Sequence, residues 1–203
     1  MILPAYEIAQ RLRREVGAKD DPLVITPAPD AEKLAQSGAA SVDLRLGTWF
    51  MLPRPRTTPL LDILKADPDQ AEQRVTKTSF VPFARPFILH PRNFVLAVTL
   101  EWLRLPADLA GYVVGKSSWG RRGLIIATAT GVHPSFTGCL TLELANVGEL
   151  PIAVYPGMLI CQLFLHRLTT TAPHTEQSAF VGFGRPVLGR LAPDEIARKL
   201  SGR

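Results

Sequence analysis

Cysteine is scarce in this sequence: Cys139 and Cys161 are the two present, and no Cys-x-x-Cys pair exists. Their scarcity excludes a disulfide framework and a thiolate zinc site, and it points to a reducing cytoplasm. Histidine is limited to four residues, and His90, His133 and His166 lack the spacing of a metal-ligand set. No block of like charge resembles a nucleic-acid-binding tail, so no nucleic-acid partner is expected. Residues 123–142 and 150–165 are free of formal charge. The first run is broken by Gly131, His133-Pro134 and Gly138, and the second by Pro156-Gly157. Neither offers the roughly 20 continuous apolar residues of a spanning helix. The N-terminus has no basic segment leading into a long apolar run, which argues against a signal peptide. A soluble, cytoplasmic protein without a membrane partner is the expectation.

What is present suits a single core. The chain has 203 residues, of which 46% are hydrophobic and 20% charged, enough for one well-buried domain over 1–203 and short for two. Eighteen prolines and fifteen glycines are spread along the whole length, a pattern of many short strands joined by turns. A mainly β fold follows. The formal charge of +5 and a pI near 9.6 favour an anionic partner, and a small polyphosphate satisfies that charge at least as well as a macromolecule does.

Residues 4–16 read as a helix, with Ile8 and Leu12 one turn apart and Arg11, Arg13 and Arg14 towards the end where the helix dipole favours cations. The alternation from Val42 to Leu46 reads as a strand that Gly47 ends or bulges. Residues 53–77 are rich in Pro, Asp, Gln and Arg and read as a surface insertion. Strand-like runs follow at 87–90, 94–100, 111–114, 124–128, 140–144, 152–154 and 159–165, a spacing that suits a barrel or jelly-roll-like sandwich. Residues 168–203 read as a mobile segment closing in a short helix over 193–200, which Pro193, Asp194 and Glu195 start and Arg198 and Lys199 finish.

Two segments could carry chemistry. Gly115-Lys116-Ser117-Ser118-Trp119-Gly120-Arg121-Arg122-Gly123-Leu124 puts hydroxyls, cations and glycines into one turn, able to offer N–H groups, hydroxyls and positive charge to a polyphosphate. The same residues also make an ordinary capped turn with solvated bases. In Cys139-Leu140-Thr141-Leu142-Glu143-Leu144 the leucines share one strand face, and Glu143 points the other way with Thr141. Glu143 is either a solvent-facing strand glutamate or, enclosed against a neighbouring subunit, a proton shuttle working near neutrality.

Taken together, several ordered blocks resemble the dCTP deaminase family of the trimeric dUTPase-like superfamily. They are Ser41-Val42-Asp43-Leu44-Arg45-Leu46-Gly47, Phe94-Val95-Leu96-Ala97-Val98-Thr99-Leu100-Glu101-Trp102, Leu105-Pro106-Ala107-Asp108-Leu109-Ala110-Gly111, the turn at 115–124, Thr141-Leu142-Glu143-Leu144-Ala145-Asn146, and Leu150-Pro151-Ile152 through Pro156-Gly157-Met158 to Gln162-Leu163. The resemblance implies a distorted jelly-roll, β-clip dUTPase-like barrel with short terminal helices, assembled as a homotrimer with nucleotide sites at its interfaces. It implies metal-independent hydrolysis of dCTP to dUTP and ammonia, with Mg²⁺ accompanying the triphosphate and no zinc. Glu143 is then the proton shuttle, Ser117 holds the water or the tetrahedral centre, and Arg121 assists electrostatically. Lys116 and Ser118 fall at phosphate positions, where the family usually has arginine in place of Lys116, so the charge is kept and the bidentate fork lost. Ala129, Val132, His133 and Gln162 line the nucleotide pocket.

The sequence also departs from the family. His133 stands where the family carries an aspartate near the deoxyribose, exchanging an acceptor-only carboxylate for a ring that donates, accepts or carries charge. The segment between Leu124 and Pro134 is one residue short, so the family's feedback inhibition by dTTP is not carried over. The C-terminal tyrosine, lysine and glutamine that reach the phosphates have no clear counterparts, leaving Arg185 and Arg190 as candidates. His174-Thr175-Glu176 spells half of a zinc-deaminase motif, but without the Pro-Cys-x-x-Cys partner. Two further readings stand beside the deaminase: a dUTP pyrophosphatase, alone or combined with deamination, which His133 disfavours, and a non-catalytic nucleotide-binding or sensing homologue.

Overall fold

The computed structural model describes residues 1–13, 21–53, 76–126, 131–171, 182–188 and 195–200. Helix α1 (Ala5–Arg13) lays Ala5, Ile8 and Ala9 on the core. Strand β1 (Val24–Thr26) and a short helix α2 (Ala31–Gln36) follow, the latter N-capped by Asp30, whose carboxylate accepts from the Glu32 and Lys33 N–H groups. Then come β2 (Val42–Pro53), β3 (Thr76–Phe80), β4 (Phe87–Leu89), β5 (Phe94–Arg104), β6 (Leu109–Gly115), a one-turn helix α3 (Ser117–Gly120), β7 (Leu124–Ile126), β8 (Gly131–Val132), β9 (Thr137–Asn146), β10 (Ile152–Val154), β11 (Leu159–Arg167) and a final helix α4 (Glu195–Leu200).

The strands pair antiparallel in the order β7-β9-β5-β2-β11-β6-β8, with β1 on β5, β3 on β2, and a separate β10-β4 pair. This sheet curls into a half-barrel. Period-two alternation sends Val42, Leu44 and Leu46 of β2, Leu140, Leu142 and Leu144 of β9, and Leu163 and Leu165 of β11 into one core. The mainly β expectation is therefore met. No helix among the described residues is long and apolar enough to cross a membrane.

Gly47 does not end its strand. β2 runs on to Pro53, and the register against β5 shifts between Leu46 and Phe50. A Cβ on Gly47 would meet the Thr99 and Val98 carbonyl oxygens at 3.0 Å, so glycine permits β5 to cross closely. β5 also loses register with β9 between Val98 and Trp102. Side chains satisfy the backbone groups that these bulges release. Thr99 Oγ1 accepts from Leu140 N–H at 3.0 Å and donates to the Glu101 carbonyl at 2.8 Å. The Glu101 carboxylate, 1% exposed, accepts from Arg45 N–H at 2.8 Å and from its guanidinium at 3.2 Å.

Pro53 pairs with Thr76, so the insertion expected at 53–77 leaves and re-enters the sheet at one point; residues 54–75 lie outside the described residues. In the C-terminal stretch, Gly182 N–H donates to Thr137 O and Cys139 N–H donates to Phe183 O, which ties residues 182–183 to the start of β9.

Candidate active site

The turn after β6 is fixed to β11 by its backbone and its tryptophan. Lys116 N–H donates to Ile160 O at 3.1 Å, and the Trp119 indole N–H donates to Leu159 O at 2.9 Å. Gly115 is closely packed, since a Cβ there would sit 3.2 Å from that of Ile126, tight enough that the isoleucine would have to give way. Arg121 N–H closes the helical turn on Ser117 O, and the Arg122 guanidinium donates to Ser118 O at 2.7 Å. Ser117, Ser118 and Arg121 are left exposed. The Arg121 guanidinium has no ion pair among the described residues.

Lys116 does not stand free beside them. Its ammonium pairs with Asp43 Oδ1 at 2.8 Å. Asp43 lies opposite Gln162, and Gln162 opposite Val114, so β2, β11 and β6 bring these positions into one row across the sheet. The Gln162 amide donates to Ser41 Oγ at 3.3 Å. The structure therefore gathers Lys116, Ser117, Ser118 and Gln162 of the sequence-predicted set and adds Asp43 and Ser41.

Glu143 sits on β9 as the alternation requires, half-buried, opposite Leu96 and facing away from the leucine layer. It makes no hydrogen bond or ion pair among the described residues, and in particular none to Ser117 or Arg121. β7 runs beside β9 with Ile126 opposite Leu144, so Glu143 lies one position past the described end of β7. Val147 N–H donates to Gly123 O at 2.9 Å, tying the end of the turn to the end of β9.

The remaining predicted residues are dispersed. Val132 is buried, paired with Gly111 at the far edge of the sheet, and His133 beside it is exposed. Arg185 lies over the Trp49 ring, 4.0 Å from its centroid. Ala129 and Arg190 lie outside the described residues. Among the described residues no three His, Cys, Asp or Glu side chains converge as a metal site.

Sequence reasoning assigned no role to Asp43 or to the buried Glu101–Arg45 pair. For Glu101 a signal existed: counted in twos from Val95 and Ala97, it falls on the core face with Thr99 and Leu103. Its charge also reaches the thiols. Burial pushes Cys161 up to about 12, with the charges of Glu101 and Asp43 adding and Lys116 opposing, and burial with Glu101 raises Cys139.

The model of the dCTP deaminase-like family matches residues 2–168. The chain belongs to this family. Among members of the dCTP deaminase-like family, the dUMP-forming dCTP deaminase of Dictyoglomus turgidum is 42% identical over 74% of this chain and 75% of its own. The dUMP-forming dCTP deaminase of a Mycobacterium species (strain KMS) is 42% identical over 83% of this chain and 86% of its own. Those names give dUMP as the product, in place of the dUTP that the sequence resemblance implied for this chain. The crystal structure of 2'-deoxycytidine 5'-triphosphate deaminase from Agrobacterium tumefaciens superposes with a TM-score of 0.56 at 23% identity. That likeness, of fold alone, covers 81% of this chain, which spans 47% of the solved one.

Proposed function

We propose that this protein deaminates dCTP hydrolytically and carries the product on to dUMP, with ammonia and pyrophosphate released. The observation behind this reading is Glu143: a half-buried strand carboxylate with no partner among the described residues, in a chain 42% identical to dUMP-forming dCTP deaminases. A carboxylate held in that way is available to substrate instead of being committed to an ion pair.

In the first step one water adds to C4 of cytosine. Glu143 takes a proton from the water and delivers it to N3, giving a tetrahedral carbon. A second transfer from the hydroxyl to the exocyclic amine lets ammonia leave and restores the C4 carbonyl. Ser117 holds the water or the tetrahedral centre by hydrogen bonding, and Arg121 stabilises the charge that develops there. A second water then attacks the phosphate chain and pyrophosphate departs, leaving dUMP. Magnesium arrives with the triphosphate as part of the substrate, Lys116 and Ser118 receive the phosphates, and Gln162 lines the nucleotide pocket. Val132, His133 and Ala129 meet the sugar and base, and Arg185 is the cation of the C-terminal segment that reaches the nucleotide. We place the completed site between copies of a homotrimer, the assembly that the family resemblance implies; Glu143 makes no polar contact with Ser117 or Arg121 of its own chain. The cytoplasmic nucleotide pool is its setting.

His133 favours a second reading, in which the reaction stops at dUTP because an imidazole stands where the family carries the aspartate near the deoxyribose. Incubation with Mg²⁺ and dCTP, CTP, dCMP or dUTP, with ammonia and pyrophosphate followed separately, distinguishes the two. Ammonia and pyrophosphate in equal amounts from dCTP support dUMP formation, and ammonia alone supports dUTP. Binding of dCTP with neither product overturns both and leaves a nucleotide sensor. Glu143→Gln is expected to abolish ammonia release while dCTP still binds.

A further inference from the structure

We propose that Asp43 is a positioning residue that presents the Lys116 ammonium to the phosphate chain of the nucleotide, an inference that rests on the reading of residues 116–118 as phosphate-binding. The argument begins with strand alternation. Val42, Leu44 and Leu46 point into the core, so Asp43 and Arg45 stand on the outer face of β2. The register then places Asp43 beside Gln162, and Gln162 beside Val114, two residues before Lys116.

The backbone of the turn is anchored at Ile160 O and its indole at Leu159 O. What that anchoring leaves undetermined is the lysine side chain, a flexible four-carbon stem with many rotamers. Asp43 removes that freedom before any ligand arrives, through an ion pair of 2.8 Å whose side chains are 25% and 35% exposed. One of the three ammonium donors goes to Asp43 Oδ1, and two remain for phosphate oxygens. The arrangement is repeated one step along the strand face, where the Arg45 guanidinium is held by buried Glu101. Lys116 and Arg45 are thus each oriented by a carboxylate.

The competing reading makes Asp43 a counterweight that weakens anion binding, and it predicts the opposite sign. A double-mutant cycle separates them: wild type, Asp43→Asn, Lys116→Met and the double variant. For each, KM and kcat with dCTP are measured, together with the calorimetric Kd for inorganic tripolyphosphate in Mg²⁺. Positioning predicts that Asp43→Asn raises KM and Kd about five-fold, the size of a partly screened ion pair, with kcat within about two-fold. In the Lys116→Met background the same change should alter neither, because Asp43 then has no lysine to act through. A lowered or unchanged Kd in Asp43→Asn, effects that multiply in the double variant, or a wild type that does not bind tripolyphosphate each overturn the proposal. Absence of ammonia from wild type would instead remove the deaminase reading, and the calorimetric cycle would still decide the role of Asp43.

Discussion

Gly123→Ala is expected to destabilise the protein by about 3 kcal/mol. Gly123 closes the candidate phosphate-binding turn with φ at +88°, and an added Cβ would lie 2.7 Å from Gly148 N and 2.8 Å from Gly148 Cα. Both are backbone atoms, so no side-chain rotation relieves the clash. The left-handed conformation costs an alanine about 1 kcal/mol, and overpacking adds about 1–3 kcal/mol. Moving the two segments apart weakens the 2.9 Å bond from Val147 N–H to Gly123 O, worth about 1 kcal/mol net. Against this, alanine restricts the unfolded chain and returns about 0.7 kcal/mol. For a chain of this size the balance lowers Tm by about 9 °C. Gly120, three residues earlier, is the control: nothing lies within 4 Å of its Cβ position, and its φ is not in the positive region. Gly120→Ala should therefore hold or raise Tm by about 2 °C. Thermal unfolding followed by circular dichroism measures both. A Gly123→Ala protein melting within about 2 °C of wild type, or two variants falling alike, would refute the reasoning.

Glu101→Leu should cost about 3–5 kcal/mol in urea unfolding, because the Arg45 N–H and guanidinium lose their acceptor inside the bulge, and Glu101→Gln should cost distinctly less. Asn146→Ala removes a side chain that donates to Leu89 O and Leu150 O and accepts from Gly148 N–H; a loss of about 2–4 kcal/mol is expected from the same assay. Cys161 carries a pH dependence. Its folded value of about 12 lies above the 9.0 of a free thiol, so its contribution is complete below pH 9 and is lost as pH rises towards 12. Urea midpoints between pH 8 and 10.5 should fall more steeply in wild type than in Cys161→Ala.

The strands read from sequence include some with one wet and one dry face and also β5, which is buried on both faces from Val95 to Thr99. β9 is the clearest, its alternation placing Glu143 outward before any coordinates. β3 escaped because Thr76-Lys77-Thr78-Ser79-Phe80 is paired on β2 with little buried, so it carries no apolar period. Gly47 was ambiguous for a physical reason: a missing side chain serves strand termination and close strand crossing equally, and only the neighbouring Val98 and Thr99 carbonyls decide. In the site, Lys116 and Asp43 are 73 positions apart in sequence, and only the β2-β11-β6 register joins them. Glu143 and Arg121 are not brought together by polar contact within one chain. No local pattern would encode a contribution from a second copy.

Subunit complementation tests the central claim most directly. Glu143→Gln and Arg121→Ala proteins, each inactive alone, are unfolded together, refolded as a mixture and assayed for ammonia release from dCTP. A site shared between copies predicts that the mixture regains a substantial fraction of wild-type activity, since some interfaces then carry Glu143 and Arg121 intact. A mixture no more active than either parent, beside a fully active wild type refolded in the same way, would contradict it.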